Sequence, residues 1–194
     1  MATKILKAIV VTMFAATIFN ANATSFGLNQ SVYTANDGTV SVTLAYDFSD
    51  VAMFGGGVDI IYDTAALEFV SYTRADLSPE IQLPMDGSLD EPGVYSGVGI
   101  FTNFFNGISS AGDIGTFQFN FLGGSNPAST PCGMTLCMQV AEFQSFITLA
   151  GSDITEQVLA NSITGATVVV PVPAALWLML GGLGTLAGLS RNSI

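Results

Sequence analysis

The stretch "TVSVTLAYDF", residues 39–48, alternates without a break: Val40, Val42, Leu44 and Tyr46 fall on one side, Thr39, Ser41, Thr43 and Ala45 on the other. Successive side chains of an extended chain point to opposite faces, so a period of two describes a strand with one face in a core. The stretch follows Asn36-Asp37-Gly38, and Asn106-Gly107 recurs later; both accept the positive φ that tight turns demand. Short apolar or alternating runs between such turn residues predict strands over 24–32, 39–47, 56–62, 67–74, 93–102, 116–122, 134–143 and 162–170. Long helical periodicity is missing. Eight or nine strands at this spacing predict an all-β fold, an antiparallel jelly-roll β-sandwich over residues 24–169. About 147 residues suffice for one such domain and are too few for two.

The N-terminal stretch places that domain outside the cytoplasm. Lys4 and Lys7 precede an apolar segment over 8–19, and Ala21 and Ala23 form a small-x-small site. Charge, short apolar core and small-residue site are the three parts of a secretory signal peptide. Residues 1–23 are therefore expected to be removed by signal peptidase after Ala23. Of the four basic residues only Arg74 lies between residues 24 and 170, whereas all 15 Asp and Glu lie there. One arginine against fifteen carboxylates leaves a net charge of −14 on the exported part. Such a surface repels phosphate backbones and anionic headgroups, which excludes nucleic acid as a partner.

The chain contains no histidine, so Ser-His-Asp and Cys-His catalysis are excluded. Cys132 and Cys137, enclosing four residues in an exported chain, are expected to form a disulfide; a zinc site would need further ligands. Hydrolysis by paired carboxylates is the remaining enzymatic chemistry, with Asp59, Asp63 and Glu68 as candidates. Carboxylates beside a turn are ordinarily solvated or cap it, so a non-enzymatic protein is the expectation. No cofactor is called for. "DGSLDE", residues 86–91, invites a calcium reading, yet it lacks the Asp or Asn at its third position and the Gly at its sixth that an EF-hand loop carries. Calcium held by loop carbonyls stays open. Exposed aromatic side chains are the usual sugar platforms. The candidates outside the tail are Tyr95, Phe101, Phe104 and Phe105, since Trp177 lies within it.

"FGGGVDIIYDTAALEFVSYTRADLS" resembles cohesin domains, in which a strand ending Tyr-Asp turns into a Leu-x-Phe-x-Ser-like run. "NDGTVSVTLAYDFSD", "AGDIGTFQFNF" and "GMTLCMQVAEF" resemble the early and later strands of the same family. The resemblance implies a nine-stranded jelly roll and an extracellular binding module. Cohesins take dockerin modules as partners, and related sandwiches take polysaccharide.

The last segment runs Val170-Pro171-Val172-Pro173-Ala174, an apolar stretch over 174–189 with Trp177 near its start, and Arg191. Sixteen apolar residues make roughly 24 Å of helix, against the roughly 30 Å of a bilayer core. Motif, short apolar run and basic end resemble the PEP-CTERM sorting signal in its Val-Pro-x-Pro-Ala variant. That resemblance implies recognition by exosortase in a Gram-negative bacterium that makes exopolysaccharide or biofilm. It also implies that the chain is held by residues 174–189 in the inner membrane, with Arg191 cytoplasmic, until processing. The same tail left uncut would make a permanently anchored type I receptor.

Overall fold

The computed structural model describes residues 24–103, 106–142 and 144–170. The signal segment 1–23, the tail 171–194 and the Phe104–Phe105 pair lie outside them. In chain order the strands are β1 (Ser25–Leu28), β2 (Val32–Thr34), β3 (Thr39–Asp47), β4 (Met53–Tyr62), β5 (Leu67–Arg74) and β6 (Leu83–Glu91). They continue with β7 (Val94–Phe101), β8 (Ala111–Phe121), β9 (Leu136–Val140), β10 (Ile147–Thr148) and β11 (Gly165–Val169). A single helical turn and a half, α1 (Thr155–Ala160), precedes β11. No described helix is long and apolar enough to cross a membrane.

Two sheets pack face to face. One has the order β1-β3-β8-β5; the other has β2-β11-β9-β4-β7-β6, with β10 attached to β4. The alternation in β3 falls as the sequence predicts: Val40, Val42, Leu44 and Tyr46 are buried while Thr39 and Ser41 are exposed. The two-residue turn before it has Asp37 at φ 50° and Gly38 at φ 78°, closed by paired bonds between Asn36 and Thr39. Both central residues in the left-handed region match the twist of the flanking strands.

Rings from both sheets meet in the core. Tyr95 of β7 lies 5.2 Å from Phe117 and 5.0 Å from Phe69, and Tyr62 of β4 lies 5.1 Å from Phe119. Phe26, Phe48, Phe117, Phe119 and Phe146 are fully buried. Burying each such ring stabilises by about 1.5–3 kcal/mol, so this ladder holds the sheets together.

Three features differ from the sequence expectation. The predicted strand over 24–32 is two strands, because Asn29–Ser31 carry the chain from one sheet to the other: β1 pairs with β3, and β2 pairs with β11. That second pairing is parallel, so the sandwich is not wholly antiparallel. An additional strand, β6, runs through "LPMDGSLDE" and forms a hairpin with β7. β6 is the edge strand of the larger sheet, and every residue in it except Pro84 is exposed.

The Cys132–Cys137 disulfide is present, with the Cα atoms 6.0 Å apart. It closes the loop entering β9, where Cys137 pairs with Ile61 and with Gly165.

Candidate functional site

The three carboxylates singled out for hydrolytic chemistry serve three separate structural purposes. Asp63 follows the last residue of β4 and is fully buried. Its Oδ1 accepts the Ala65 N–H at 3.0 Å and the Ser129 hydroxyl at 3.1 Å, and its Oδ2 accepts the Asn126 N–H. Its carbonyl accepts N–H bonds from Ala66 and Leu67, and its own N–H donates to Thr135 at 2.9 Å. Burial by itself raises the pKa of a carboxyl. Here the donors from Asn126, Ala65, Ser129 and Ala66 outweigh it and hold Asp63 below its ordinary value. As an anion at neutral pH it ties the 123–130 loop to the β4–β5 turn.

Asp59 sits on the outer side of β4 and accepts the Gly97 N–H at 2.8 Å. Gly97 has φ 76° and occupies a bulge where the β4–β7 register shifts between Val58 and Ile60. The extra residue lets Tyr95 and Val98 both face inward. Glu68 lies on β5 in the other sheet, where it accepts the Asn120 side-chain N–H at 3.0 Å. No two of these carboxylates share a site, and no described group of three His, Cys, Asp or Glu residues is placed to hold a metal ion.

"DGSLDE" is strand β6 rather than a cation loop. Asp86 pairs with Arg74 at 3.2 Å, and Asp90 accepts the Ser88 hydroxyl at 2.7 Å. The hydroxyls of Ser88 and Ser96 keep Asp90 below the usual carboxylate range. Tyr95 is 7% exposed and donates its hydroxyl to the Asp86 carbonyl at 3.0 Å. It presents no ring to solvent, because the bulge at Gly97 turns it into the core. Phe101 is half-buried on the outer face of the larger sheet, its ring 6.2 Å from that of Phe54.

The open flank between the two sheet edges, β5 and β6, is what the sequence reading missed. Arg74 and Asp86 bridge it at one end. Towards the other end lies a groove of about 450 Å³, lined by Leu67, Phe69, Leu89, Pro92 and Leu122 with Thr64, Tyr62 and Glu68. Leu89 is 46% exposed and Leu122 55%. Between the ion pair and the groove stands Tyr72, whose hydroxyl donates to the Ile114 carbonyl at 3.3 Å. Burial, then the negative charge of Asp86, push its pKa well above the ordinary phenol value. Two lone leucines, one before a Pro-Gly turn and one after β8, carry no sequence signal, since single exposed apolar residues are common.

No family model and no curated protein matches the chain in sequence. Solved structures do match in shape. The solution structure of the cohesin CaCohA2 from Clostridium acetobutylicum has a TM-score of 0.50 at 16% identity, covering 78% of this chain and 94% of that one. A type III cohesin module from the cellulosomal ScaE cell-surface anchoring scaffoldin of Ruminococcus flavefaciens has a TM-score of 0.50 at 14% identity, covering 77% and 87%. The sixth cohesin of scaffoldin B from Acetivibrio cellulolyticus, solved with a Cel5 dockerin, has a TM-score of 0.47 at 13% identity, covering 77% and 98%. The all-β sandwich thus matches the fold of cohesin domains, as the sequence resemblance implies.

Proposed function

We propose that this chain is an exported, non-enzymatic binding or structural module of the cell surface or extracellular matrix, sorted there by exosortase through its C-terminal tail. The observation that carries the reading is the order of the last residues: Val170-Pro171-Val172-Pro173-Ala174, a short apolar run, then Arg191. The motif begins one residue after β11 ends at Val169, and Val170 is 55% exposed. Pro171 and Pro173 lack the N–H that a helix needs, so the motif's sequence disfavours a helix running into it, which suits a processing enzyme. The run over 174–189 is short for a permanent span and adequate for a temporary hold, with local thinning of the bilayer.

The binding half of the reading is supported by the cohesin-like sandwich. A protein partner, as for dockerin-binding cohesins, or an exopolysaccharide is the class of ligand expected. The test is to delete exosortase in the native host and fractionate the cells. Transfer of the protein from surface or matrix to the inner membrane supports sorting. An unchanged membrane-bound protein in both strains overturns sorting and makes the chain a type I anchored receptor.

A further inference from the structure

β11 lies beside β2 in a parallel ladder, with Thr167 opposite Val32, Val168 opposite Tyr33 and Val169 opposite Thr34. In a parallel pair every second residue of a strand turns both its N–H and its carbonyl towards the neighbour. On β11 these residues are Thr167, whose N–H donates to the Ser31 carbonyl at 3.0 Å, and Val169, whose carbonyl accepts the Ala35 N–H at 2.8 Å. The alternation reaches residue 171 next, where an N–H would be aimed at the Ala35 carbonyl. Residue 171 is a proline and has no N–H to give. The next rung of the ladder is therefore cancelled at the second residue of the Val-Pro-Val-Pro motif.

We propose that Pro171 is a positioning residue for processing: it stops β11 from extending along β2 and so leaves the main chain of residues 170–174 unpaired for the enzyme. The proposal rests on the sorting reading above. Proteins that take up an extended segment do so largely through hydrogen bonds to its main chain. A main chain already paired within a sheet has those groups occupied. Without the proline the sequence would carry the strand onward, since Val168, Val169, Val170 and Val172 are all β-branched and suit a strand.

Pro173 does not share this task. It occupies the next position of the same alternation, but the chain after β2 has reversed there. Asn36 and Thr39 exchange N–H···O bonds at 2.8 and 2.9 Å around Asp37 and Gly38, and the Asn36 carbonyl also accepts the Thr39 hydroxyl at 2.9 Å. The reversal takes the carbonyls after Ala35 out of line with β11, so a donor at 173 has no rung to complete.

The test compares the full chain with Pro171→Ala and Pro173→Ala, each expressed in the native host and in a strain lacking exosortase. Residue-resolved amide hydrogen exchange on the unprocessed protein, solubilised from the strain lacking the enzyme, reads the ladder. The rate at which the intact C-terminus disappears in the host reads processing. In Pro171→Ala the amide at position 171 is expected to exchange roughly five- to tenfold more slowly than that of Val172, the net worth of one hydrogen bond. Processing is expected to slow several-fold with it. In Pro173→Ala the amide at position 173 is expected to exchange freely. An unprotected amide at position 171 overturns the ladder, and loss of processing alongside it makes the proline ring an enzyme contact instead. A protected amide with processing at the wild-type rate overturns the positioning role. Failure of the sorting reading is distinct: wild-type chain then keeps Ile194 in both strains, which removes the positioning role while the exchange result still decides the ladder.

Discussion

Ser129 donates its hydroxyl to Oδ1 of Asp63 at 3.1 Å, across 66 residues of sequence. With Asn126 and Ala65 it satisfies a carboxylate that is wholly buried. The residue that looks most like half of a catalytic pair in the sequence is therefore the fastening of a loop.

Asp63→Asn keeps the shape but removes the charge and turns an N–H₂ towards a donor. It is expected to destabilise by about 2–3 kcal/mol at neutral pH, read as a fall in Tm or in urea midpoint. The folded pKa of Asp63 lies below its unfolded value, so its contribution is complete above the unfolded pKa and is lost as pH falls through the folded one. The gap between wild type and Asp63→Asn is thus expected to narrow below about pH 4. A gap that is constant from neutral pH to acid contradicts an ionised Asp63.

Gly99 and Gly57 face each other across β4 and β7. A Cβ on Gly99 would stand 2.7 Å from the Gly56 carbonyl oxygen and 3.0 Å from the Gly57 Cα. Gly99→Ala is expected to cost about 1–3 kcal/mol through backbone displacement. Gly112→Ala is the comparison: its Cβ meets nothing nearer than Tyr46 at 3.5 Å, and its Tm is expected to stay at or above that of the wild type.

The Cys132–Cys137 bridge closes a small loop, so it constrains the unfolded chain modestly, by about 2 kcal/mol on the chain-entropy estimate. Reduction of the folded protein, or Cys132→Ala with Cys137→Ala, is expected to lower the free energy of unfolding by that amount, read as a fall in urea midpoint with the m-value nearly unchanged. Loss of cooperative unfolding on reduction would contradict a secondary role for the bridge.

What the sequence made legible was whatever local pattern determines. β3 was readable because alternation and an Asp37-Gly38 turn coincide there. β6 was not, since a strand containing Pro84, Gly87 and three acids has low strand propensity and forms through its register with β7. Tyr95 was read as a surface ring, and the bulge at Gly97, held by Asp59 from a strand 38 residues earlier, put it inside. Asp63 was read as a turn carboxylate because its partners at 126 and 129 are remote in sequence. The groove escaped notice for the same reason: Leu89 and Leu122 line one groove only when two sheets bring their edges together. α1 buries just Val158, too little for any helical period to register.

The central claim, export followed by exosortase processing, is tested most directly by the intact mass of the protein isolated from its native host. The expected species begins at Thr24 and ends within the Val170–Ala174 motif. A species retaining Ile194 in a strain with active exosortase contradicts sorting, and one retaining Met1 contradicts export.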